Sequence, residues 1–230
     1  LSMGGVGTAM RDNSSIYFSN PASYSSLDTN SFVFDFGLDY SMSFISDTVS
    51  GFSSDDMNFD HLMIGFPLSK GWGFAAGVLP LSNGYYKLAE SIRTNDQKYD
   101  PKVGEYSTNH LGEGGFRYFF LGSGVSINKN LSIGINMTVL FGQVKRLNQL
   151  EFADNSVFNN NSTEKLRLNG INFDYGMQYT ASLKNDYFFN AGVSFKSGKY
   201  YNSKYEYLSS RLLGSFTSDT ISYVADDSTR

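Results

Sequence analysis

The sequence contains no cysteine, which excludes disulfide bonds, thiolate metal sites and cysteine nucleophiles together. Histidine is scarce as well, since only His61 and His110 occur, and this disfavours histidine metal clusters and histidine-dependent catalytic triads. No run of about 18 apolar residues is present, so we expect no transmembrane helix. A charged start with an apolar core is also missing at Leu1, so no signal peptide is expected there. We expect no metal site and no cofactor.

Basic residues show no excess either, because 18 Lys and Arg stand against 22 Asp and Glu, for a net charge of −4. A nucleic-acid partner is excluded on this ground, since a phosphate-binding surface needs clustered Lys and Arg. Proline is rare, with only 4 residues, whereas the chain has 23 Gly, 20 Phe and 16 Tyr. Many glycines and aromatics with few prolines favour strands over helices.

Apolar side chains occupy every second position along several stretches, which is the period of a β-strand. The clearest row alternates with small or polar residues over seven positions. It consists of Phe32, Phe34, Phe36, Leu38, Tyr40, Met42 and Phe44. The same pattern predicts seven strands, at about 32–44, 58–68, 72–81, 112–126, 131–142, 171–183 and 187–195, with an eighth strand starting near Ile221.

Two architectures fit such rows. A soluble sandwich or propeller buries the apolar face between layers and carries Lys and Glu on the other face, whereas these polar faces carry Ser, Asn, Thr, Gly and Gln. The connections also alternate in predicted length, with short ones such as "SKG" between long polar ones. An outer-membrane barrel explains both patterns, because its apolar face meets lipid and its short turns lie on one side. We therefore predict an all-β, transmembrane antiparallel barrel in the bacterial outer membrane.

Two further expectations concern the ends of the strands. Trp72 starts the third predicted strand and is a candidate for the aromatic belt at a membrane interface; the alternative is a packed aromatic residue. Seven or eight strands followed by "YVADDSTR" do not form a finished barrel, since closed barrels have an even number of strands and no open edge. We expect further strands beyond this chain.

The first residues have a different composition, "LSMGGVGTAMRDNSSIYFSNPASYSSLD", with three early glycines and an Asn20-Pro21-Ala22 motif. Because Pro21 follows it, Asn20 is expected outside the helical region. This segment resembles the N-terminal hatch of the FadL-like family of long-chain fatty acid transporters of the outer membrane. The stretches "FPLSKGWGFAAGVLP" and "GEGGFRYFFLGSGVSINKNLSIGINMTVLFG" look like variants of that family from Bacteroidetes.

The resemblance implies a fourteen-stranded barrel of which this chain is the first half. Residues 1–29 would form the hatch inside the lumen, and residues 30–230 would form the first seven to eight strands. Hydrophobic molecules would leave through a gap beside a kink in the third strand, near the Asn-Pro-Ala motif. The small face of that strand and its proline would border the gap, so the candidate residues for the hatch and channel are Asn20, Pro21, Ala22, Gly73, Gly77 and Pro80.

Charged residues on the predicted strands must avoid lipid, so we expect them in the lumen. They are Asp35 and Asp39 on the first strand and Glu113 and Arg117 on the fourth. Pairing with a hatch residue such as Arg11 is the structural interpretation. Phe119 and Leu121 share the face of Arg117, which makes them candidate walls of an apolar channel.

The functional hypotheses differ in what the lumen does. The first is passive uptake of hydrophobic small molecules such as fatty acids, with outer-membrane lipid as the surrounding partner. The alternative is a scaffold or docking subunit of an outer-membrane, secretion-type protein complex, with a blocked lumen and other outer-membrane proteins as partners. An enzyme is not expected, because no clustered nucleophile and base are found.

Overall fold

The computed structural model describes residues 7–46, 51–182, 187–197 and 201–214. Within these ranges the protein is built from antiparallel strands, with one short 3₁₀ helix at Pro21–Ser26. No helix in the described part of the chain is long and apolar enough to cross a membrane. The prediction of an all-β antiparallel protein is confirmed.

Nine strands follow the 3₁₀ helix. Their bounds are β1 Val33–Ser46, β2 Gly51–Ser69, β3 Trp72–Asn83, β4 Tyr86–Ile92, β5 Tyr106–Ser126, β6 Leu131–Phe152, β7 Phe158–Ser182, β8 Phe188–Lys196 and β9 Asn202–Leu213. Neighbouring strands follow the order β1-β2-β3-β5-β6-β7-β8, while β4 pairs with β5 and β9 pairs with β7.

The strands are longer than their apolar rows predicted. Two strands, β4 and β9, lie outside the ranges of the predicted strands, and β2, β5, β6 and β7 extend well into polar stretches. The connection between β6 and β7 shrinks to residues 153–157, so the predicted alternation of short and long loops is wrong. The reason is that ladder hydrogen bonds come from the backbone, which polar side chains do not interrupt. The eighth strand predicted near Ile221 lies outside the described residues.

The chain divides into two compact units. Unit 1 consists of Leu1–Pro80, Arg117–Leu140 and Gly170–Tyr200, and unit 2 consists of Leu81–Phe116, Phe141–Asn169 and Tyr201–Arg230. Unit 1 contains the N-terminal segment, defined here as residues 7–31, with β1, β2, β8 and parts of β3, β5, β6 and β7. Unit 2 contains β4, β9 and the remaining lengths of the long strands.

The strands of unit 1 are polar inside and apolar outside. The predicted row of β1 is exposed throughout, from Phe32, just before the strand, at 63% to Phe44 at 77%. In β7 the exposed residues Phe173, Tyr175 and Met177 alternate with buried polar ones. The buried set in β7 is Asn172, Asp174 and Gln178. Exposed oily rows over a buried polar face exclude the soluble sandwich, because a sandwich buries its apolar rows between two sheets.

A small apolar core lies between the N-terminal segment and the strands of unit 1. Ile16, Tyr24 and Leu27 of the segment pack with Met63 of β2, Ala75 of β3 and Phe120 of β5. The ring centroids of Phe18 and Phe120 are 4.7 Å apart, in a tilted arrangement that aromatic pairs favour. The segment is therefore anchored by hydrophobic contacts as well as by the polar contacts described below.

Candidate functional site

The site is the place where the N-terminal segment meets the inner strand faces of unit 1. Its centre is the 3₁₀ helix, which Asn20 caps with extended backbone angles, φ −145° and ψ 103°. Pro21 follows at the first helical position, where its missing N–H costs nothing. The Asn20 Oδ1 accepts a hydrogen bond from the Ala22 N–H at 3.1 Å. The Asn-Pro-Ala motif thus starts this helix, and Asn20 lies outside the helical region as predicted.

Asn20 also ties the helix to the wall. Its side chain is fully buried, and its Nδ2 donates to the carbonyl oxygens of Thr8 at 2.7 Å and Met177 at 3.2 Å. Thr8 belongs to the same segment, whereas Met177 belongs to β7. One amide side chain therefore forms hydrogen bonds with the first turn of the helix, with another part of the segment and with a strand. No charged group is needed for these contacts.

Glycines in the strands let the helix approach the wall at backbone distance. A Cβ at Gly73 of β3 would collide with the Tyr24 carbonyl, and a Cβ at Gly134 of β6 would collide with the backbone of Pro21. Gly124 of β5 likewise faces the Pro21 carbonyl. Three different strands thus leave room for one helix, since only glycine permits contact this close.

Arg11 supplies the charge of the site. Its guanidinium donates to the hydroxyls of Ser132 at 2.9 Å and Ser25 at 3.0 Å, and to Gln178 Oε1 at 3.4 Å. Partial burial lowers the pKa of Arg11 from its usual value, because desolvation disfavours the charged form. All of these partners are neutral. The predicted ion pairs between Arg11 and the strand carboxylates are therefore wrong.

Gln178 of β7 holds the start of the segment in place. Its Nε2 donates to the carbonyls of Met10 at 2.9 Å and Thr8 at 3.1 Å, and it is 2% exposed. Asn136 of β6 acts similarly, since its Nδ2 donates to the Phe18 carbonyl at 3.2 Å. Backbone carbonyls of an irregular segment need donors when they are buried, and these amides provide them.

The most deeply buried aromatic of the site is Tyr24, in the middle of the 3₁₀ helix. Burial raises the pKa of the Tyr24 phenol, because the ionised form would lose its hydration. Nearby in the wall, Thr138 Oγ1 donates to the buried Asp174 carboxylate at 3.1 Å. The inner face of unit 1 is thus a packed polar and aromatic interior.

The structure places the sequence-predicted residues in three groups. Asn20, Pro21, Ala22 and Gly73 come together at the 3₁₀ helix, and Gly77 faces Phe120 and Met63 beside it. Pro80 is exposed and lies within β3. Trp72 is half exposed and its Nε1 donates to Ser123 Oγ at 2.9 Å.

The predicted channel walls of β5 point the other way. Phe120, Gly122 and Gly124 face the N-terminal segment, so Arg117, Phe119 and Leu121 occupy the opposite, outward face of β5. Their predicted placement in the lumen is wrong. The inner face of β5 was assigned on the ground that the charge of Arg117 must avoid lipid, and this selected the wrong set of alternate residues. Phe120 lies on the other face of β5 and is fully buried in the core.

The remaining predicted charges do not join the site. Asp35 lies beside His61, with 3.0 Å between Oδ1 and Nε2, and Asp39 is exposed. Glu113 is exposed in unit 2. Within the described residues the predicted cluster of luminal charges is replaced by neutral amides and hydroxyls around Arg11.

The sequence did not identify the residues that hold the segment, namely Ser132, Asn136 and Gln178, nor the buried Asp174 of the wall. Each is at most 6% exposed. The sequence did carry a signal. Asn is depleted in β-strands, yet Asn and Gln occupy mid-strand positions here and alternate with large apolar residues. Such a row indicates an interior that needs hydrogen-bond donors.

An apolar groove of about 400 Å³ lies elsewhere on unit 1. Its side chains are Val125 of β5, Ile133 and Ile135 of β6 and Tyr175 of β7, all of which are exposed. In each strand these side chains lie on the face opposite to that of Gly124, Gly134 and Gly176, which face the 3₁₀ helix and Asn20. The groove therefore belongs to the outward apolar surface and offers no path through the interior.

Strands with outward oily rows, a polar interior and an internal N-terminal segment define a class: an antiparallel β-sheet protein of the bacterial outer membrane. The family model that matches the chain is BamG, over residues 1–227. The chain therefore belongs to the BamG family, and BamG is a component of the outer-membrane Bam machinery. The predicted location in the bacterial outer membrane is confirmed.

This family membership corrects the resemblance drawn from the sequence. The match to BamG over nearly the whole chain overturns the assignment to FadL-like fatty acid transporters. The Asn-Pro-Ala motif that suggested it serves here as the cap of the 3₁₀ helix. A search of curated proteins and a search of solved structures each gave no match.

Proposed function

We propose that this chain is a structural subunit of the outer-membrane protein assembly complex, held in the membrane by its strands and associated with other subunits of that complex. Membership of the BamG family supports this role. It corresponds to the scaffold hypothesis, with outer-membrane proteins as partners in place of a hydrophobic small molecule.

The observation that carries the proposal is the filled interior of unit 1. Asn20, Arg11 and the 3₁₀ helix engage β5, β6 and β7 through buried hydrogen bonds and backbone contacts at glycine. A passage for fatty acids needs a continuous apolar wall, whereas this inner face is covered by the N-terminal segment and carries buried hydroxyls, amides, the Asp174 carboxylate and the Arg11 guanidinium beside a small apolar core. A blocked interior suits a protein that acts through its surface.

The proposal includes a closed barrel wall around the N-terminal segment. Strands whose outer rows touch hydrocarbon need every backbone donor paired, and closure is the arrangement that achieves this. The count of fourteen strands rested on the transporter resemblance and has lost that support. The proposed role involves no catalytic step.

Affinity purification tests the role directly. The tagged chain, extracted in mild detergent, is expected to bring down the other subunits of the assembly complex in fixed ratio. Depletion of the chain is expected to lower the amounts of newly assembled outer-membrane proteins while fatty acid uptake stays at the level of undepleted cells. Purification of the chain alone, together with a loss of fatty acid uptake on depletion, would contradict the proposal.

A further inference from the structure

The distal end of the β1–β2 hairpin differs from the rest of unit 1. We name it the arm, and it consists of residues 39–46 of β1 and residues 51–57 of β2. Every arm residue whose side chain is described is exposed, on both faces of the hairpin. By contrast, the proximal end is covered on its inner side, where Met63 is buried and Gly65 lies against Ile16 and Leu27.

The two faces of the arm have different chemistry. Cross-strand register pairs Tyr40 with Met57 and Met42 with Asp55, so one face carries Tyr40, Met42 and Phe44 with Asp55 among them. The other face carries Ser41 opposite Asp56, and Asp39 opposite Asn58 at the next pair on that face. Aromatic and methionine side chains are enriched in the cores of protein interfaces, and serine and acidic residues are typical of their rims.

The hairpin is too long to lie wholly in the membrane. A tilted strand crosses the hydrocarbon core with about 9–11 residues. β1 and β2 are paired from Val33–Gly65 to Ser46–Gly51, along all 14 residues of β1. On the outward face the proximal pairs Phe34–Ile64 and Phe36–Leu62 are apolar on both strands, whereas the distal pair Met42–Asp55 carries a charge, and Asp56 lies on the other face. The arm is therefore the end that leaves the hydrocarbon.

Charge narrows the choice of what covers the arm. Residues 30–69 contain six Asp and no Glu, Lys or Arg. A bacterial membrane surface carries anionic groups, which repel such a hairpin, and a second copy would bring the same acidic arm. A protein surface with clustered Lys or Arg around an apolar depression complements both faces.

We propose that the arm is the docking element for another protein subunit of the assembly complex, through a basic partner surface that receives Tyr40, Met42 and Phe44. This inference rests on the proposed function, because it names the part of the chain that holds the complex together. Docking also supplies the packing that the arm lacks, since a two-stranded hairpin alone in water is marginally stable.

The acidic residues are tested by charge removal. The triple variant Asp39→Asn, Asp55→Asn, Asp56→Asn is expected to lower the co-purified partner about tenfold at physiological salt, which is the effect of losing one strong interface contact. The matched control removes three exposed aspartates of unit 2 in the same way, at Asp96, Asp100 and Asp154, and is expected to retain the partner. Equal retention in both variants, with no change in salt sensitivity, would overturn the docking role of the charges.

The apolar face is tested by photocrosslinking. A photoreactive phenylalanine analogue replaces Phe44 in the intact complex, and the control places it at Phe195 of β8, which pairs with the outward-facing Tyr175 and is exposed to a similar degree. At Phe44 we expect an adduct that mass spectrometry maps to a Lys- and Arg-rich segment of another subunit of the complex; at Phe195 we expect lipid adducts. Lipid adducts alone at Phe44, or adducts to a second copy of this chain, would overturn the inference.

The two proposals fail in distinguishable ways. If the wild-type chain purifies without any subunit of the assembly complex, the proposed function is wrong. If the wild-type chain brings down the complex and the arm variants do so equally, with no protein adduct at Phe44, only the docking inference is wrong.

Discussion

At the scale of single residues, the inner face of unit 1 is organised by neutral amides. Asn20, Asn136 and Gln178 each donate to backbone carbonyls of the N-terminal segment. Amides suit this place because they carry a donor and an acceptor without the desolvation cost of a buried charge. Two charged groups accompany the amides: hydroxyls and one amide surround the Arg11 guanidinium, and Thr138 donates to the Asp174 carboxylate.

Replacement of Asn20 by Ala tests this arrangement. The substitution leaves the carbonyls of Thr8 and Met177 and the N–H of Ala22 without this partner, so we expect a loss of about 1–3 kcal/mol in the free energy of unfolding. Urea unfolding of the detergent-solubilised protein measures it. Asn13→Ala is the matched control, since Asn13 is exposed in the same segment and should change stability by less than about 0.5 kcal/mol. Equal stabilities of the two variants would refute the role of the Asn20 amide.

At the scale of elements, the sequence predicted the strands where large apolar residues alternate with small polar ones. The row from Phe32 to Phe44 became β1, and the row around Phe173 became part of β7. The prediction stopped where the rows stopped, and it therefore missed β4 and β9 and shortened β6. Backbone pairing with a long neighbouring strand extends a strand into polar sequence. The amino-acid sequence alone does not reveal which neighbouring strand is long.

The site was predictable to a similar degree. The Asn-Pro-Ala motif and the small face of β3 were predicted to lie near each other, as Asn20 to Ala22 and Gly73 do, whereas the helix that Asn20 caps was not predicted. The facing residues on β6 and β7 were not identified. Their partners lie 118 positions away for Asn136 and up to 170 for Gln178, and no local pattern encodes such a contact.

The register of the β1–β2 hairpin has a direct test at its distal end. Ser46 is paired with Gly51, and a Cβ at Gly51 would lie 3.9 Å from the Ser46 Cβ. This separation matches that of disulfide-bonded cysteines, about 3.5–4.5 Å. We expect the double variant Ser46→Cys, Gly51→Cys to form a disulfide under mild oxidation, detected as a gel shift that reductant reverses.

The absence of native cysteine makes that measurement specific. The control variant Ser43→Cys, Gly51→Cys places the thiols out of register and should remain reduced. A disulfide in the control but not in the paired variant would show that the strands are aligned differently.

At the scale of the whole molecule, the distribution of apolar and polar side chains on the strands is the reverse of that in a soluble protein. The proximal part of the exposed row of β1 and the buried polar row of β7 both follow from hydrocarbon outside and a filled, largely polar interior inside. This pattern predicts the membrane class correctly, but the family resemblance drawn from the sequence was wrong. Fold and patterning are shared by many outer-membrane proteins of different function, so they do not identify one family.

An arginine in the outer row measures the depth of β1 in the membrane. Phe36 lies in the proximal half of the row, and we expect Phe36→Arg to lower the stability of the inserted protein by about 2–4 kcal/mol, as arginine near the bilayer midplane does. Unfolding from lipid vesicles, or the folded yield in the membrane fraction, measures this cost. Phe44→Arg is the control, because the arm leaves the hydrocarbon and should tolerate the charge. Equal losses for both variants would place the arm inside the lipid.

The contacts of the N-terminal segment also constrain when the protein can finish folding. Thr8 and Met10 are synthesised before the amide that holds them, on Gln178, which follows about 170 residues later in the chain. These hydrogen bonds therefore form only once the seventh strand has been made and has found its place. Contacts this distant along a chain form slowly, which makes the docking of the N-terminal segment on β7 a late event in maturation.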